Sequence, residues 1–220
     1  MIDESSPISY GDRFRALWQR CCTLRRLDMN ATPIYEDLVR RYSEPGRFYH
    51  GWSHLTHCLR EFDRAAVLIE DPDTVELALW FHDAIYEPGA ADNEKRSADL
   101  FGQWGGIGFP PEFVEKVSRL ILITMHNQRP DEGDESYLAD IDLSSFGVNW
   151  PAFMRDTWNV RKEQAHIEDA RYYPAHAGFL TMLLNRPRIF HTDFFYQIYE
   201  ESARRNINRL LSTALYETEA

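Results

Sequence analysis

The dipeptide His82-Asp83 places an imidazole and a carboxylate directly after a largely apolar stretch at 75–81. That stretch is apolar on all sides of a helix, which predicts that it is buried and carries the dipeptide into the interior. A buried carboxylate is costly unless it is paired, protonated or bound to a metal ion. His82 and Asp83 could therefore bind a metal ion beside the end of this helix. The alternative is a local hydrogen-bonded cap, which the dipeptide alone favours because His-Asp often occurs by chance.

A second group of imidazoles comprises His50, His54 and His57, which are spaced four and three residues apart, as neighbours on a helix are. The apolar stripe of this helix lies within about 60° of Leu55, and His54 lies about 100° from Leu55, at the edge of the buried face. His57 falls on the far side, and the direction of His50 stays open because it precedes the regular helix. His54 is thus favoured as a ligand, whereas His57 is interpreted as part of a polar face.

A third candidate is the pair of aspartates in the helical stretch 138–146. Asp142 shares a helix face with Leu138 and Phe146, whereas Asp140 lies on a more mixed face. This pattern favours Asp142 as the aspartate that points inward. The alternative is that Asp142 caps or hydrogen-bonds a neighbouring helix end.

These side chains form a candidate ligand set from three helices, namely His54, His82, Asp83 and Asp142. Mixed nitrogen and oxygen ligation suits a divalent ion such as Mn, Fe, Co, Ni, Zn or Mg, and does not choose among them. An aspartate could bridge to a second ion. A site of this kind activates water and neutralises phosphoryl oxygens.

The elements that must position these residues are helices. Apolar residues step by three or four along most of the chain, and alternating runs rich in Val, Ile and Thr are scarce. We therefore expect a single all-α domain over 1–220. It would be a helical bundle with a metal-site core at about 47–147 and additional C-terminal helices. The expected helices cover about 32–42, 52–69, 72–86, 92–104, 111–127, 134–146, 150–168, 174–186 and 193–217.

Composition limits the classes of partner. The 220 residues include 24 Lys+Arg and 35 Asp+Glu, for a net charge of −11. Such a chain has no general attraction to nucleic acid or to an anionic membrane. Three cysteines without a CxxC pair indicate a reducing, cytoplasmic compartment. We expect no signal peptide and no membrane-spanning segment. We expect the aromatic residues near the C-terminus to pack in the core or at the interface of a homodimer.

The order His…His-Asp…Asp on helices resembles the HD-domain superfamily of metal-dependent phosphohydrolases. The closer likeness is to a small bacterial group of predicted metal-dependent HD phosphohydrolases. It spans residues 47–147, whereas the segment Tyr173–Gly178 lacks the Gly-Arg expected there. The motifs that carry the resemblance are Arg47-x-Tyr49-His50-x-x-x-His54, Phe81-His82-Asp83-x-x-Tyr86, Asn93-Glu94-x-x-Ser97-Ala98, Thr124-x-His126 and Asp140-x-Asp142-Leu143.

The resemblance implies roles for individual residues. The metal ligands would be His54, His82, Asp83 and Asp142, and Asp83 would also belong to the catalytic set. The Tyr-His-x-x-x-His run is similar to cyclic-nucleotide phosphodiesterases as well, which implies that His50 protonates the leaving oxygen. Glu94 would orient the attacking water, with a solvated first-turn glutamate as an equal alternative. His126, Arg47 and Lys95 would bind the substrate. The alternatives are that His126 is a buried, hydrogen-bonded histidine and that Arg47 and Lys95 are ordinary surface cations, which are the commoner cases.

The resulting hypothesis is a metal-dependent phosphohydrolase that uses a metal-activated water on a small phosphorylated molecule such as a nucleotide. One alternative is an HD-type di-iron oxygenase, which needs further inward His or Asp ligands. Another alternative is a non-catalytic helical module that binds a nucleotide or a partner. The function of such a module would survive removal of the metal. An unrelated ferritin-like bundle is disfavoured because the chain has a single Glu-x-x-His motif.

Overall fold

The computed structural model describes residues 7–213, and all regular structure within them is helical. This confirms the all-α class and the additional helices after residue 147. Short 3-10 turns follow two of the helices, at Ala66–Leu68 and Ser144–Gly147. The α-helices are α1 (Pro7–Leu24), α2 (Thr32–Tyr42), α3 (Trp52–Ala65), α4 (Pro72–Phe81), α5 (Asn93–Gly105), α6 (Pro111–Ile123), α7 (Asp134–Leu143), α8 (Trp150–Glu163), α9 (Asp169–Asn185) and α10 (Asp193–Leu211).

Helix α4 is the central element of the bundle. It packs against α1, α3, α5, α6 and α7. Its residues 77–81 have no exposed surface, as the apolar stretch predicted. The start of the helix is fixed by Pro72 in the first turn and by Asp71, whose side chain accepts a hydrogen bond from the Thr74 N–H.

The end of α4 differs from the sequence prediction, because the helix stops at Phe81 rather than near 86. The Arg47 guanidinium donates hydrogen bonds to the carbonyls of Asp83 and Ala84, at 2.5 and 2.9 Å. The Ile85 N–H donates to the Ser97 hydroxyl at 3.0 Å. Side chains from elsewhere thus take the backbone groups that another helical turn would use, and the chain turns away just after His82-Asp83.

Other helices also begin or end at residues that differ from the prediction, for local reasons. Helix α6 stops at Ile123 rather than 127, and His126 beyond it adopts a left-handed φ of 52°. Helix α8 stops at Glu163 rather than 168, because Arg161 donates to the carbonyls of Gln164 and Ile167. Helix α9 begins at Asp169 rather than 174, so Pro174 lies inside the helix instead of at its start. Helix α1 was not predicted from the sequence. The predicted end of the last helix, at 217, lies outside the described residues.

One hydrophobic core cluster contains residues from every helix, from Tyr10 to Leu210. Its centre is aromatic, and the Trp80 ring lies 5.1 Å from the Phe14 ring and 6.2 Å from the Trp52 ring. This packing fixes the directions of α3 and α4, the two helices that carry the candidate histidines. Within residues 7–213, no helix has the length and apolar character needed to cross a membrane.

Candidate metal centre

Two buried histidines face each other between α3 and α4. The Nε2 atoms of His54 and His82 are 3.2 Å apart, and the two residues are 4% and 1% exposed. The Nδ1 of His82 lies 2.7 Å from the Leu79 carbonyl, which can only accept a hydrogen bond, so Nδ1 is the protonated nitrogen. In the neutral ring this leaves the Nε2 lone pair available for a metal ion.

Two carboxylates complete the cluster. The Asp83 Oδ2 lies 3.2 Å from the His82 Nε2 and 3.5 Å from the His54 Nε2. The Asp142 Oδ1 lies 3.0 Å from the His54 Nε2 and 3.7 Å from the His82 Nε2. Ligands held about 2.1 Å from one ion lie about 3.0–3.4 Å apart at octahedral or tetrahedral angles. The spacing therefore fits a shared divalent ion, and we term these four residues the ligand cluster.

The charges of the ligand cluster depend on one another. Burial disfavours the charged form of His82, but Asp83 and Asp142 outweigh it and raise the pKa of His82 to about 9. Burial also disfavours the ionised carboxylates, yet the neighbouring histidines hold the pKa values of Asp83 and Asp142 below their usual range. The carboxylates thus favour positive charge on the His82 imidazole. A divalent ion can replace its proton on Nε2, so metal binding would release a proton.

Cys58 is a member of the buried group that could hold a metal ion, with His54, His82 and Asp142. Its Sγ lies 3.6 Å from Nε2 and 3.9 Å from Nδ1 of His54. Because these distances are nearly equal, the sulfur lies beside the imidazole ring and not in line with the Nε2 lone pair. We interpret Cys58 as a packing neighbour of the ligand cluster. Its helical spacing from His54, four residues along α3, was the available sequence signal.

His50 is held by a glutamate from α8, Glu163, to which sequence analysis gave no role in the site. The Glu163 side chain is fully buried, and its Oε2 lies 2.6 Å from the His50 Nδ1. Its Oε1 accepts hydrogen bonds from the backbone N–H groups of Tyr49 and His50 at 2.7 and 2.8 Å. The His50 ring also stacks on Tyr86 at 4.1 Å. Burial lowers the pKa of His50, but Glu163 and the nearby aspartates raise it overall.

A cavity of about 410 Å³ connects these groups. Its lining includes the ligand residues His54, Asp83 and Asp142, and also His50. Residues of α8 and α9 line it as well. The other lining residues are Tyr49, Glu94, Thr124, Met125, His126, Leu143, Ser145, Phe146, Phe153, Asp156, Thr157, Val160, Gln164, Tyr172, Ala175, His176 and Phe179.

The structure places the two alternative aspartates and histidines in different roles. Asp140 is fully buried and accepts hydrogen bonds from the N–H groups of His191 and Thr192 and from the Thr192 hydroxyl, so it fixes the start of α10. Asp142 faces the histidines. His57 points away from the cluster and donates from Nε2 to the Ser144 hydroxyl at 2.8 Å. Sequence analysis favoured Asp142 and His54 for the same positions.

Of the further residues expected to assist catalysis or bind substrate, two line the cavity and two do not. Glu94 and His126 line the cavity, and the His126 Nε2 lies 2.8 Å from the Asp142 Oδ2. Burial, with Asp83 and Asp142 nearby, raises the pKa of Glu94. Arg47 and Lys95 do not line the cavity. The Arg47 side chain is 4% exposed and binds backbone carbonyls, so its role here is structural, and Lys95 lies on the surface.

Comparisons with protein-family models, curated proteins and solved structures find no match to this chain. The resemblance to the HD-domain superfamily therefore stays a prediction. The geometry of the ligand cluster and of its cavity has to carry the functional argument.

Proposed function

We propose that the chain is a metal-dependent phosphohydrolase that acts on a small phosphorylated molecule. The observation that carries this proposal is a pair of imidazole nitrogens 3.2 Å apart, each with two carboxylate oxygens 3.0–3.7 Å away, beside a cavity. A divalent ion bound there would activate water and neutralise phosphoryl oxygens. The ligand cluster suits the ion through its mixed nitrogen and oxygen donors.

His50 would protonate the leaving oxygen. Because its Nδ1 is engaged by Glu163, the nitrogen left to face a substrate is Nε2. The raised pKa of His50, caused by Glu163 and the nearby aspartates, favours the protonated imidazole, which is the form a general acid needs. Glu163 fixes the ring and the backbone that carries it, as the third member of a catalytic constellation commonly does.

Glu94 would orient the attacking water, and its carboxylate would accept a proton from it. It lines the cavity, and no residue in the described part of the chain forms an ion pair with it. Its raised pKa brings the carboxylate closer to the range where a general base is effective. This argument supports the role that sequence analysis gave to Glu94.

A redox reaction at two metal ions is the second candidate, and one contact favours it. Asp142 faces the two histidines through Oδ1 and His126 through Oδ2, at 3.0 and 2.8 Å. A carboxylate with both oxygens directed at imidazoles could bridge two ions. His126 is also the further inward histidine that a di-iron oxygenase would need.

The test combines metal analysis with a substrate screen. The purified chain and its Asp142→Ala variant are analysed for bound metals, then assayed on phosphate esters with Mn²⁺, Co²⁺, Ni²⁺, Zn²⁺, Mg²⁺ and Fe²⁺. We expect near-stoichiometric metal and ester hydrolysis in the native chain alone. The exposed histidine variant His166→Ala is the matched control and should behave like the native chain.

Three results separate the candidates. Oxygen consumption that depends on iron, without ester hydrolysis, would favour the oxygenase. Ligand binding that persists after chelation would favour a non-catalytic module. Equal metal content in the native chain and in Asp142→Ala would remove the ligand cluster from the proposal.

A further inference from the structure

Part of the cavity lining comes from α8 and α9. We term it the outer wall, and it comprises Phe153, Asp156, Val160, Tyr172, His176 and Phe179. The Phe146 ring packs against this wall, and its centroid lies 6.1 Å from that of Phe153 and 6.2 Å from that of Phe179. Aromatic side chains in a cavity offer flat apolar area to a ligand. None of these residues belongs to the ligand cluster.

The charge of the cavity restricts what can lie against this wall. Its described lining contains four carboxylates, Asp83, Glu94, Asp142 and Asp156, and no Lys or Arg. One divalent ion would offset the two carboxylates of the ligand cluster. Glu94 would remain unpaired, and Asp156 pairs with Arg155, whose side chain is 66% exposed. Negative charge beyond a single phosphoryl group would therefore meet like charge without a facing Lys or Arg, and His50 would be the one protonated group of the described lining to offset it.

One polar atom on the outer wall lacks a partner. Tyr172 is 3% exposed, and its hydroxyl has no hydrogen-bond partner within residues 7–213. A buried hydroxyl without a partner is costly, and a ligand that supplies one would remove that cost. The carboxylate of Asp156 lines the same wall and can accept a hydrogen bond.

We propose that the outer wall is the binding site for the organic part of a phosphate monoester, namely a flat ring that carries a hydrogen-bonding group and no negative charge. This inference rests on the proposed function, and it adds that chains of several phosphates are poor substrates. The reaction would transfer the phosphoryl group to water. The water oxygen forms a bond to phosphorus, the bond between phosphorus and the ester oxygen breaks, and the leaving oxygen takes a proton to give a ring-bearing alcohol and inorganic phosphate.

The test measures binding and not turnover, so that it does not depend on catalysis. The probes are methylphosphonate, benzylphosphonate, 4-carboxybenzylphosphonate and 4-(hydroxymethyl)benzylphosphonate, titrated calorimetrically into the full chain loaded with Mn²⁺. We expect benzylphosphonate to bind about tenfold more tightly than methylphosphonate because the ring contacts the aromatic wall. We expect the carboxylate to weaken binding by about tenfold, and the hydroxymethyl group to preserve or improve it.

Variants assign these differences to the outer wall. Phe179→Ala should abolish the advantage of the ring while leaving methylphosphonate binding unchanged. Asp156→Asn should relieve the penalty of the carboxylate, which a merely structural role would not do. Tyr172→Phe should reduce the affinity for the hydroxymethyl probe alone. Arg205→Ala, at an exposed cation outside the cavity, is the matched control.

Equal binding of methylphosphonate and benzylphosphonate, or tightest binding of the carboxylated probe, would overturn the inference. Failure of every probe to bind to the metal-loaded chain would overturn both the inference and the proposed phosphate site. The expected binding pattern without hydrolysis of any phosphate ester would overturn the proposed function and leave the assignment of the ring site standing.

Discussion

At the ligand cluster, charged side chains are held by other side chains and by backbone carbonyls, whereas the outer wall presents aromatic rings held by packing. His82 is fixed through Nδ1 by the Leu79 carbonyl, and Asp142 contacts histidines through both oxygens. Phe153 and Phe179 instead lie against Phe146. Hydrogen bonds set direction, which metal ligation requires, while packing sets shape. The comparison suggests that chemistry and selectivity can be altered separately in this cavity.

The largest effect should come from removing a ligand. Asp83→Ala deletes one of the two carboxylates in contact with both histidines. We expect metal content to collapse and hydrolysis to fall by about 10³-fold or more, because the ion supplies the main electrostatic stabilisation. Elemental analysis and circular dichroism would show metal loss with the helices intact. Asp156→Asn, on the outer wall, should retain its metal, and loss of metal from both variants would break the comparison.

A smaller effect is expected from Glu163→Gln, which keeps the shape of the side chain but weakens the bond to His50. General acid catalysis contributes about 10²–10⁴-fold, so we expect a loss in the lower part of that range for esters with poor leaving groups. The loss should shrink for 4-nitrophenyl phosphate, whose leaving oxygen needs little protonation. A uniform loss over all leaving groups, or a loss of metal, would assign Glu163 a purely structural role.

The outer wall should contribute stability more than chemistry. Phe153 is 3% exposed and packs beside Phe146, so Phe153→Ala should destabilise the fold by about 3–5 kcal/mol, measured by urea unfolding. The variant should bind its metal stoichiometrically at temperatures where it is folded. A folded Phe153→Ala that cannot bind metal would show that the wall also positions the ligands.

The smallest predicted effect is a pH dependence of the free energy of unfolding. It comes from His57, which belongs neither to the ligand cluster nor to the outer wall. Burial lowers the pKa of His57 to about 4, below the value of about 6.5 in the unfolded chain. Between these values the unfolded state binds more protons, so stability falls as the pH drops from about 6.5 to 4. The metal-free native chain should lose about 1–2 kcal/mol more than His57→Gln between pH 7 and 4.5. Parallel curves for the free energy of unfolding would contradict this.

Much of the fold could be predicted because helical periodicity is local. The apolar stretch at 75–81 predicted the buried central helix, and the face argument predicted the buried position of His54. The same argument made Asp142 the inward aspartate, which is wrong as to burial, because Asp140 is fully buried and Asp142 is 14% exposed. Helix ends were less predictable. The end of α4 depends on Arg47 and Ser97, which are distant in sequence from the carbonyls and N–H groups they bind.

The sequence alone determined the helical class, the acidic charge and the presence of two histidines and two aspartates at positions that face inward. These follow from spacing, because neighbours on a helix share a face whatever packs against them. Tertiary structure decided the pairing of His50 with Glu163, the structural role of Arg47 and the aromatic wall that lines the cavity. Each of these depends on which helices meet, and contacts between distant segments leave no periodic trace in the sequence.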